Sequence, residues 1–246
     1  MQSTFIIMNI SSKLDALHLK ARQNKWLNYF TIFNRVALAA GFLPAGYVKI
    51  IGERFTDLHN NQPMGNYLEA LHHTGYYYTT IGTLQIAAAI LLLIPRTALL
   101  GVLIYFPIIL NICILSLAVR FEGSLLTSPL MVISCIYLLC WDYHRIKMIF
   151  FRSSGPISTP KIIDNKFPYR FFSGVMAFLV LFVFTITHVY DIMPRNTLAD
   201  CQTQCDDSKN PGACKIFCEC IHVKGQPLDK ALNDYHKALN NRRKTD

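Results

Sequence analysis

Long apolar blocks separated by short polar stretches dominate the pattern along the chain. A bilayer core about 30 Å thick needs roughly 20 mostly apolar residues in a helix. Five blocks reach this length or come near it: Trp26 to Ile51, Tyr76 to Ile94, Leu99 to Ala118, Leu125 to Trp141, and Phe171 to about Ile192. The pattern therefore predicts an all-α, integral membrane bundle with five transmembrane helices.

The composition supports a membrane protein. Of the 246 residues, 52% are hydrophobic and only 16% are charged, and the mean hydropathy is +0.28. A soluble domain carries about 25% charged residues. The composition excludes a disordered chain, a coiled coil and a nucleic-acid-binding domain. The expected partner is the lipid bilayer, and the pattern predicts no oligomeric state.

The distribution of the net charge of +9 predicts an orientation, because Lys and Arg concentrate in the cytoplasmic loops of membrane proteins. One side of the membrane would carry eleven of these residues: four before the first span, Arg96 between the second and third spans, and six in residues 144–170. On the opposite side lie Arg54 and Arg120, with Lys49 at a helix end. We therefore expect a cytoplasmic N-terminus and an extracytoplasmic C-terminal tail.

These predictions divide the chain into five segments. In the first, Leu14, Leu17 and Ala21 recur at helical spacing among basic residues, which suits either an amphipathic helix on an anionic membrane surface or a solvated lead-in. The apolar run at residues 5–7 is too short for a secretory signal. The segments are a cytoplasmic basic amphipathic segment (1–25), a four-helix bundle (26–147), a cytoplasmic basic linker (148–170), a fifth transmembrane helix (171–193) and a cysteine-rich tail (194–246).

Five of the eight cysteines lie in the tail, as Cys201-x3-Cys205-x8-Cys214-x3-Cys218-x-Cys220. Residues four apart share a helical face, and the intervening SKNPG is a strong turn signal. Two antiparallel helices would place Cys201 opposite Cys218 and Cys205 opposite Cys214. We therefore predict these two disulfides, which crosslink a tail too small for a sufficient core and require an oxidising compartment.

Other roles for the cysteines stay open. A four-thiolate zinc site is the alternative for the same four side chains, although Cys-x2-Cys pairs are more usual in such sites. Cys218 and Cys220 are the candidate redox pair, and Cys220 is otherwise a free thiol or a link to another chain.

The loop after the first span offers a second candidate metal site. Glu69, His72 and His73 have a spacing that would suit a metal ion. No fourth ligand accompanies them, so we assign no metal site.

Four polar residues fall inside the predicted spans. Arg35 and Lys49 lie 14 residues apart in the first span and so nearly on one face; Gln85 lies in the second and Asn111 in the third. Charged side chains in a membrane usually face the bundle interior. We expect Arg35, Gln85 and Asn111 to converge, with no carboxylate near Arg35. The four residues are either polar contacts between helices or a binding site for a quinone-like carbonyl or a small anion.

Four stretches of the sequence resemble the DoxX family of small bacterial membrane proteins. They are Arg35 followed by Gly46-Tyr47-Val48-Lys49, Leu93 to Gly101, Phe106 to Ile112, and Leu138 to Tyr143. The resemblance covers residues of about 30–147 and implies a DoxX-like four-helix bundle in the bacterial inner (plasma) membrane. To that bundle this chain adds the fifth span and a disulfide-pinned helical hairpin in the periplasm.

The resemblance also implies redox association and access to quinone, because the family's namesake is a subunit of a thiosulfate:quinone oxidoreductase. It does not imply a single activity. Our first hypothesis is an accessory subunit of an envelope redox system, which binds a quinone or a partner protein. The second is a thiol:quinone (or thiosulfate:quinone) oxidoreductase, whose tail cysteines reduce a quinone near Arg35. The third is a small-solute carrier.

Overall fold

The computed structural model describes residues 16–151 and 162–242, except for the side chains of residues 148–151 and 241–242. Residues 1–15 of the predicted amphipathic segment and residues 152–161 of the predicted linker lie outside the described residues. Within these ranges the chain is all-helical, as predicted, apart from an isolated bridge between Asn24 and Asp164. The helices are α1 (16–23), α2 (Lys25–Ile50), α3 (Pro63–His72), α4 (Tyr76–Leu93), α5 (Ala98–Ala118), α6 (Glu122–Leu125), α7 (Thr127–Trp141), α8 (Tyr143–Phe151), α9 (Tyr169–Val189), α10 (Leu198–Thr203), α11 (Pro211–His222) and α12 (Leu228–Arg242).

Four helical segments of the described chain are long and apolar enough to cross a membrane. They are α4, α5, α9 and the continuous stretch Glu122–Trp141, which combines α6 and α7. These segments coincide with four of the five predicted spans. The remaining predicted span corresponds to α2, which has 26 residues but carries Asn34, Arg35 and Lys49. These polar side chains make α2 less apolar than the other four segments.

The bundle core lies between α2, α4, α5 and α7. Tyr105 of α5 stacks on Phe42 of α2 with ring centroids 3.5 Å apart, and its hydroxyl donates to the Leu38 carbonyl at 2.9 Å. Where α2 crosses α4, a Cβ added at Gly46 would lie 2.7 Å from the Gly82 carbonyl oxygen. Since lipid is as apolar as the core, such close van der Waals packing is what favours association of helices in a membrane.

Helix α9 contacts the bundle mainly near its two ends. Near its start, the rings of Phe171 and Phe172 each lie 5.6 Å from that of Phe30. Just past its end, the Tyr190 hydroxyl donates to the Leu117 carbonyl at 3.0 Å. No residue of α9 is buried, so its apolar surface is open to the surrounding medium, as expected for a helix that faces lipid.

The tail forms a second core of its own. Disulfides join Cys201 to Cys218 and Cys205 to Cys214, which are the two pairs predicted from the sequence. These bonds hold α10 against α11, and α12 packs on the same cluster through its apolar face. The buried side chains around the disulfides include Ile192, Phe217, Ile221, Leu228, Leu232 and Tyr235.

The tail rests on the loops at one end of the bundle. The Asn61 amide donates to the His222 carbonyl at 2.8 Å, and Arg120 donates to the Ile192 carbonyl at 2.8 Å. Arg195 pairs with Glu122 just beyond α5. The tail therefore shares an end with the two loops that carry few basic residues, and α1 lies at the opposite end.

Candidate functional site

A cavity of about 770 Å³ opens at the α1 end of the bundle, between α1, the start of α2, the end of α7 and the start of α9. We call it the α1 cavity. Its wall is mostly apolar and aromatic, and the larger side chains on it are Leu17, Leu27, Tyr137, Trp141, Tyr143 and Phe171. Its polar side chains are His18, Lys20, Asn24, Asp164 and Arg170. A mainly apolar wall with a few polar groups is typical of small-molecule sites.

Asn24 holds the elements around the cavity together. Its side-chain oxygen caps α2 by accepting from the backbone nitrogens of Trp26 and Leu27, at 3.0 and 3.2 Å. Its amide nitrogen donates to the Lys166 carbonyl at 2.8 Å. The segment that precedes α9 is therefore tied to the start of α2, which places Arg170 and Phe171 on the cavity wall.

His18 lines the cavity and has one ring nitrogen that makes no hydrogen bond. Its Nε2 lies 2.8 Å from the Trp141 carbonyl oxygen, and its Nδ1 is buried without a hydrogen-bond partner. A carbonyl can only accept, so Nε2 carries the proton and Nδ1 of the neutral ring is an acceptor. Burial lowers the pKa of His18 below its ordinary value, and the nearby His144 and Arg22 lower it further, while the Trp141 hydrogen bond and Asp142 act in the opposite sense. The ring is therefore neutral at pH 7.

Asp142, directly after Trp141, is the buried centre of an arginine cluster. Its residue is only 2% exposed. Its carboxylate lies 3.5 Å from Arg35, 4.0 Å from Arg22 and 4.0 Å from Arg145. Our expectation that Arg35 lacks a carboxylate is therefore wrong. The long Arg35 side chain reaches the end of α7, so one acid holds α1, α2 and α8 together.

The predicted convergence of Arg35, Gln85 and Asn111 is also wrong. Gln85 is 1% exposed and packs opposite Gly46, which lies 11 residues, or roughly 16 Å of helix, beyond Arg35. Asn111 is exposed, because the buried face of α5 is formed by residues such as Ile109 and Cys113. The spacing of residues within one helix does not define how that helix is aligned with its neighbours. In the structure this alignment keeps the three side chains apart.

Lys49 lies at the other end of α2, close to the tail. It is 6% exposed, its Nζ donates to the Ala45 carbonyl at 2.9 Å, and it lies 4.3 Å from the Phe55 ring centroid. The ammonium is thus held by its own helix and by a cation–π contact. Arg35 and Lys49 do not form one site in the structure.

The carboxylate in the candidate metal motif already has two partners. Glu69 lies 3.0 Å from Arg54 and 2.9 Å from His73. His72 packs edge-on against Tyr78, with ring centroids 5.3 Å apart. The structure thus uses this motif to hold the loop next to α4.

The redox pair Cys218 and Cys220 is not formed. Cys218 is bonded to Cys201, and Cys220 is a buried free thiol. The two disulfides lie side by side, with the Cys205 and Cys218 sulfurs 4.0 Å apart. The sulfurs of Cys205, Cys214 and Cys218 are therefore close enough together to hold a metal ion. In the structure, however, all four cysteines of the two pairs form disulfide bonds.

Reasoning from the sequence missed His18 and Trp141 as site residues. One signal was present: His18 follows Leu17 and precedes Ala21, so it borders the apolar face of a basic helix. The contact between α1 and the end of α7, 123 residues away, is tertiary, and no pattern within α1 indicates it.

Comparison with known proteins identifies the family of this chain. The uncharacterized protein YwoB of Bacillus subtilis (strain 168) is 36% identical to this chain over 138 residues, which cover 53% of this chain and 87% of YwoB. The chain belongs to the YwoB family. Because YwoB is itself uncharacterized, this membership assigns no activity. No protein-family model and no solved structure matches the chain.

Proposed function

We propose that the chain is a DoxX-like membrane protein that binds a quinone in the α1 cavity, as an accessory subunit of an envelope redox system. The observation that carries this proposal is the cavity itself, with its aromatic wall. Its volume of about 770 Å³ lies in the range of small-molecule sites. A quinone ring would be enclosed there by Tyr137, Trp141 and Phe171.

In this proposal α2 is the first of five spans. The packing of α2 supports this assignment. Helix α2 lies along α4 and contributes Leu38 and Phe42 to the bundle core, so a bundle that crosses the membrane includes α2. The basic residues at the α1 end would face the cytoplasm. The tail would then lie in the periplasm of a bacterial inner membrane, where its disulfides are stable.

The buried tail cysteines favour a binding subunit over a thiol:quinone oxidoreductase. All four disulfide-bonded cysteines are 0% exposed, whereas a disulfide that exchanges electrons must be reached by a thiolate. They also lie at the end of the bundle opposite the α1 cavity. The 21-residue α5 alone separates the two ends by roughly 30 Å, so the tail cysteines have no contact with a quinone in this site.

The proposal is tested by purification in polymer nanodiscs that retain native lipid, followed by mass spectrometry of bound quinone. We expect quinone enriched over its ratio to phospholipid in the whole membrane. Ala21 lines the cavity, so Ala21→Trp should lower the enrichment by about tenfold through loss of cavity space. Leu19→Trp on the exposed side of α1 is the matched control and should retain quinone.

Two results would reject the proposal. One is quinone in the wild-type nanodiscs at no more than the membrane ratio. The other is equal quinone retention by Ala21→Trp and Leu19→Trp, because it would place the binding site elsewhere.

A further inference from the structure

The arginine cluster around Asp142 carries more positive charge than its one carboxylate can balance. Its cations are Arg22, Arg35 and Arg145, and each lies within 4.0 Å of that carboxylate. The charged groups that act on Arg22 and Arg35 are Asp142 and the other arginines, with no second acid among the described residues. Three arginines against one aspartate leave an excess of two positive charges at this point of the bundle.

Two of these arginines have accessible hydrogen-bond donors without a partner. Arg22 and Arg145 both approach the same oxygen of Asp142, Oδ1, at 4.0 Å, which is longer than a hydrogen bond between a guanidinium and a carboxylate. Neither guanidinium makes a hydrogen bond within the described part of the chain, and none of their nitrogens is buried. Because the two side chains are partly exposed, a ligand at the surface can reach these N–H groups, in contrast to the buried Nε of Arg35.

The cluster lies where the bundle would meet the headgroup layer of a membrane. Asp142 directly follows the apolar segment Glu122–Trp141, and two of the arginines belong to α1 and α8, which lie beyond the spans at this end. Trp26 and Tyr29 at the start of α2 are exposed, as is typical of the aromatic belt at a membrane–water interface. Anionic lipid headgroups lie in that layer and attract clusters of Lys and Arg.

The geometry of the two accessible arginines suits a phosphate. The guanidinium carbon of Arg22 lies 5.7 Å from the Trp141 ring centroid, so a cation–π contact helps to hold this side chain in place. Arg145 flanks the same carboxylate oxygen from α8. A guanidinium presents its N–H groups as a planar fork that matches the oxygens of a phosphate, so two adjacent guanidinium groups can hold one phosphate between them.

We propose that Arg22 and Arg145 bind the phosphate of an anionic phospholipid, with Arg35 contributing its charge from within the bundle. The excess of two positive charges matches a lipid with two phosphates, such as cardiolipin, better than phosphatidylglycerol with one. A zwitterionic lipid offers no net charge. This lipid site is additional to the proposed function and does not depend on it, because the described residues that line the α1 cavity include none of the three arginines.

The test measures lipid binding to the full chain in detergent micelles by native mass spectrometry, which counts the lipids bound to each protein molecule. The probes are cardiolipin, phosphatidylglycerol and phosphatidylcholine, titrated separately at one ionic strength because salt screens such attractions. We expect cardiolipin to bind about tenfold more tightly than phosphatidylcholine, with phosphatidylglycerol between them, since each additional lipid charge is attracted by the cluster. Inorganic phosphate at the same concentration should not displace cardiolipin.

A pair of double variants separates this site from general attraction to a basic surface. Arg22→Gln with Arg145→Gln removes the accessible donors and should bring the affinities of the three lipids to within about twofold of each other. Asp142 keeps its ion pair with Arg35 in this variant. The matched control, Arg96→Gln with Lys166→Gln, removes two exposed cations at the same end of the bundle and should keep the order of the wild type.

Three results would overturn the lipid site. The first is equal binding of cardiolipin and phosphatidylcholine to the wild type, which needs no variant and so does not depend on the folding of one. The second is a preference that both double variants keep or both lose. The third is displacement of cardiolipin by inorganic phosphate, which would show a site for a small anion. Quinone retention is a separate measurement, so none of these results decides the proposed function.

Discussion

Asp142→Asn is expected to lower the free energy of unfolding of the bundle by about 2–3 kcal/mol. The change removes one carboxylate and leaves Arg22, Arg35 and Arg145 facing each other without an acid partner. This loss of stability is smaller than that expected for a fully buried ion pair, because the side chains of Arg22 and Arg145 are 20% and 32% exposed. Titration with sodium dodecyl sulfate, followed by circular dichroism of protein in detergent micelles, measures it.

Two further variants distinguish this cluster from ordinary surface pairing. Asp234 is in an exposed pair with Lys237 at 4.0 Å, so Asp234→Asn should change stability by less than about 0.5 kcal/mol. Combining Asp142→Asn with Arg35→Gln removes one uncompensated charge and should restore part of the loss. If Asp142→Asn were as mild as Asp234→Asn, Asp142 would not be the centre that joins α1, α2 and α8.

Removal of the disulfide Cys201–Cys218 by double substitution with alanine should destabilise the tail by about 3 kcal/mol. The bond joins positions 17 apart and encloses Cys205–Cys214, whose positions are 9 apart, so its loss frees the chain on both sides of the inner bond in the unfolded tail. The tail has three short helices around a small core, and few other interactions compensate. We expect trypsin to cleave the variant after Lys215 and Lys224 under conditions in which the wild type is resistant.

Cys220→Ala is the matched control for the disulfide variants, since Cys220 is buried in the same core but forms no disulfide. It should reduce stability by about 1 kcal/mol and leave the tail resistant to trypsin. A tail that stays resistant without Cys201–Cys218 would show that its helices pack stably without that bond.

The tail could be predicted from the sequence because its constraints are local. Spacings of four residues define a helical face, and Asn210 and Pro211 mark the start of α11, so one pairing of Cys201, Cys205, Cys214 and Cys218 suits a hairpin. The four apolar segments that are long enough to cross a membrane could be predicted for a similar reason, because each depends only on the length and composition of one stretch of the chain.

The candidate site could not be predicted, because it depends on contacts between distant segments. Arg35 meets Asp142 across 107 positions of the chain, and the composition of each helix does not define which turn of one lies beside which turn of another. Gln85 shows the same difficulty. It packs against Gly46 because α2 approaches α4 closely at that point, and the sequence of neither helix defines that contact. His18 becomes a site residue only because α1 folds back over Trp141.

Photoaffinity labelling tests the central claim, a quinone in the α1 cavity, most directly. An azidoquinone would be activated by light in nanodiscs that contain the full chain, and the labelled peptides would be mapped by mass spectrometry. We predict labels on α1 and on residues 137–143 at the end of α7, suppressed by an excess of decylubiquinol. Labels confined to α9 or the tail, or labels that decylubiquinol does not suppress, would contradict the account.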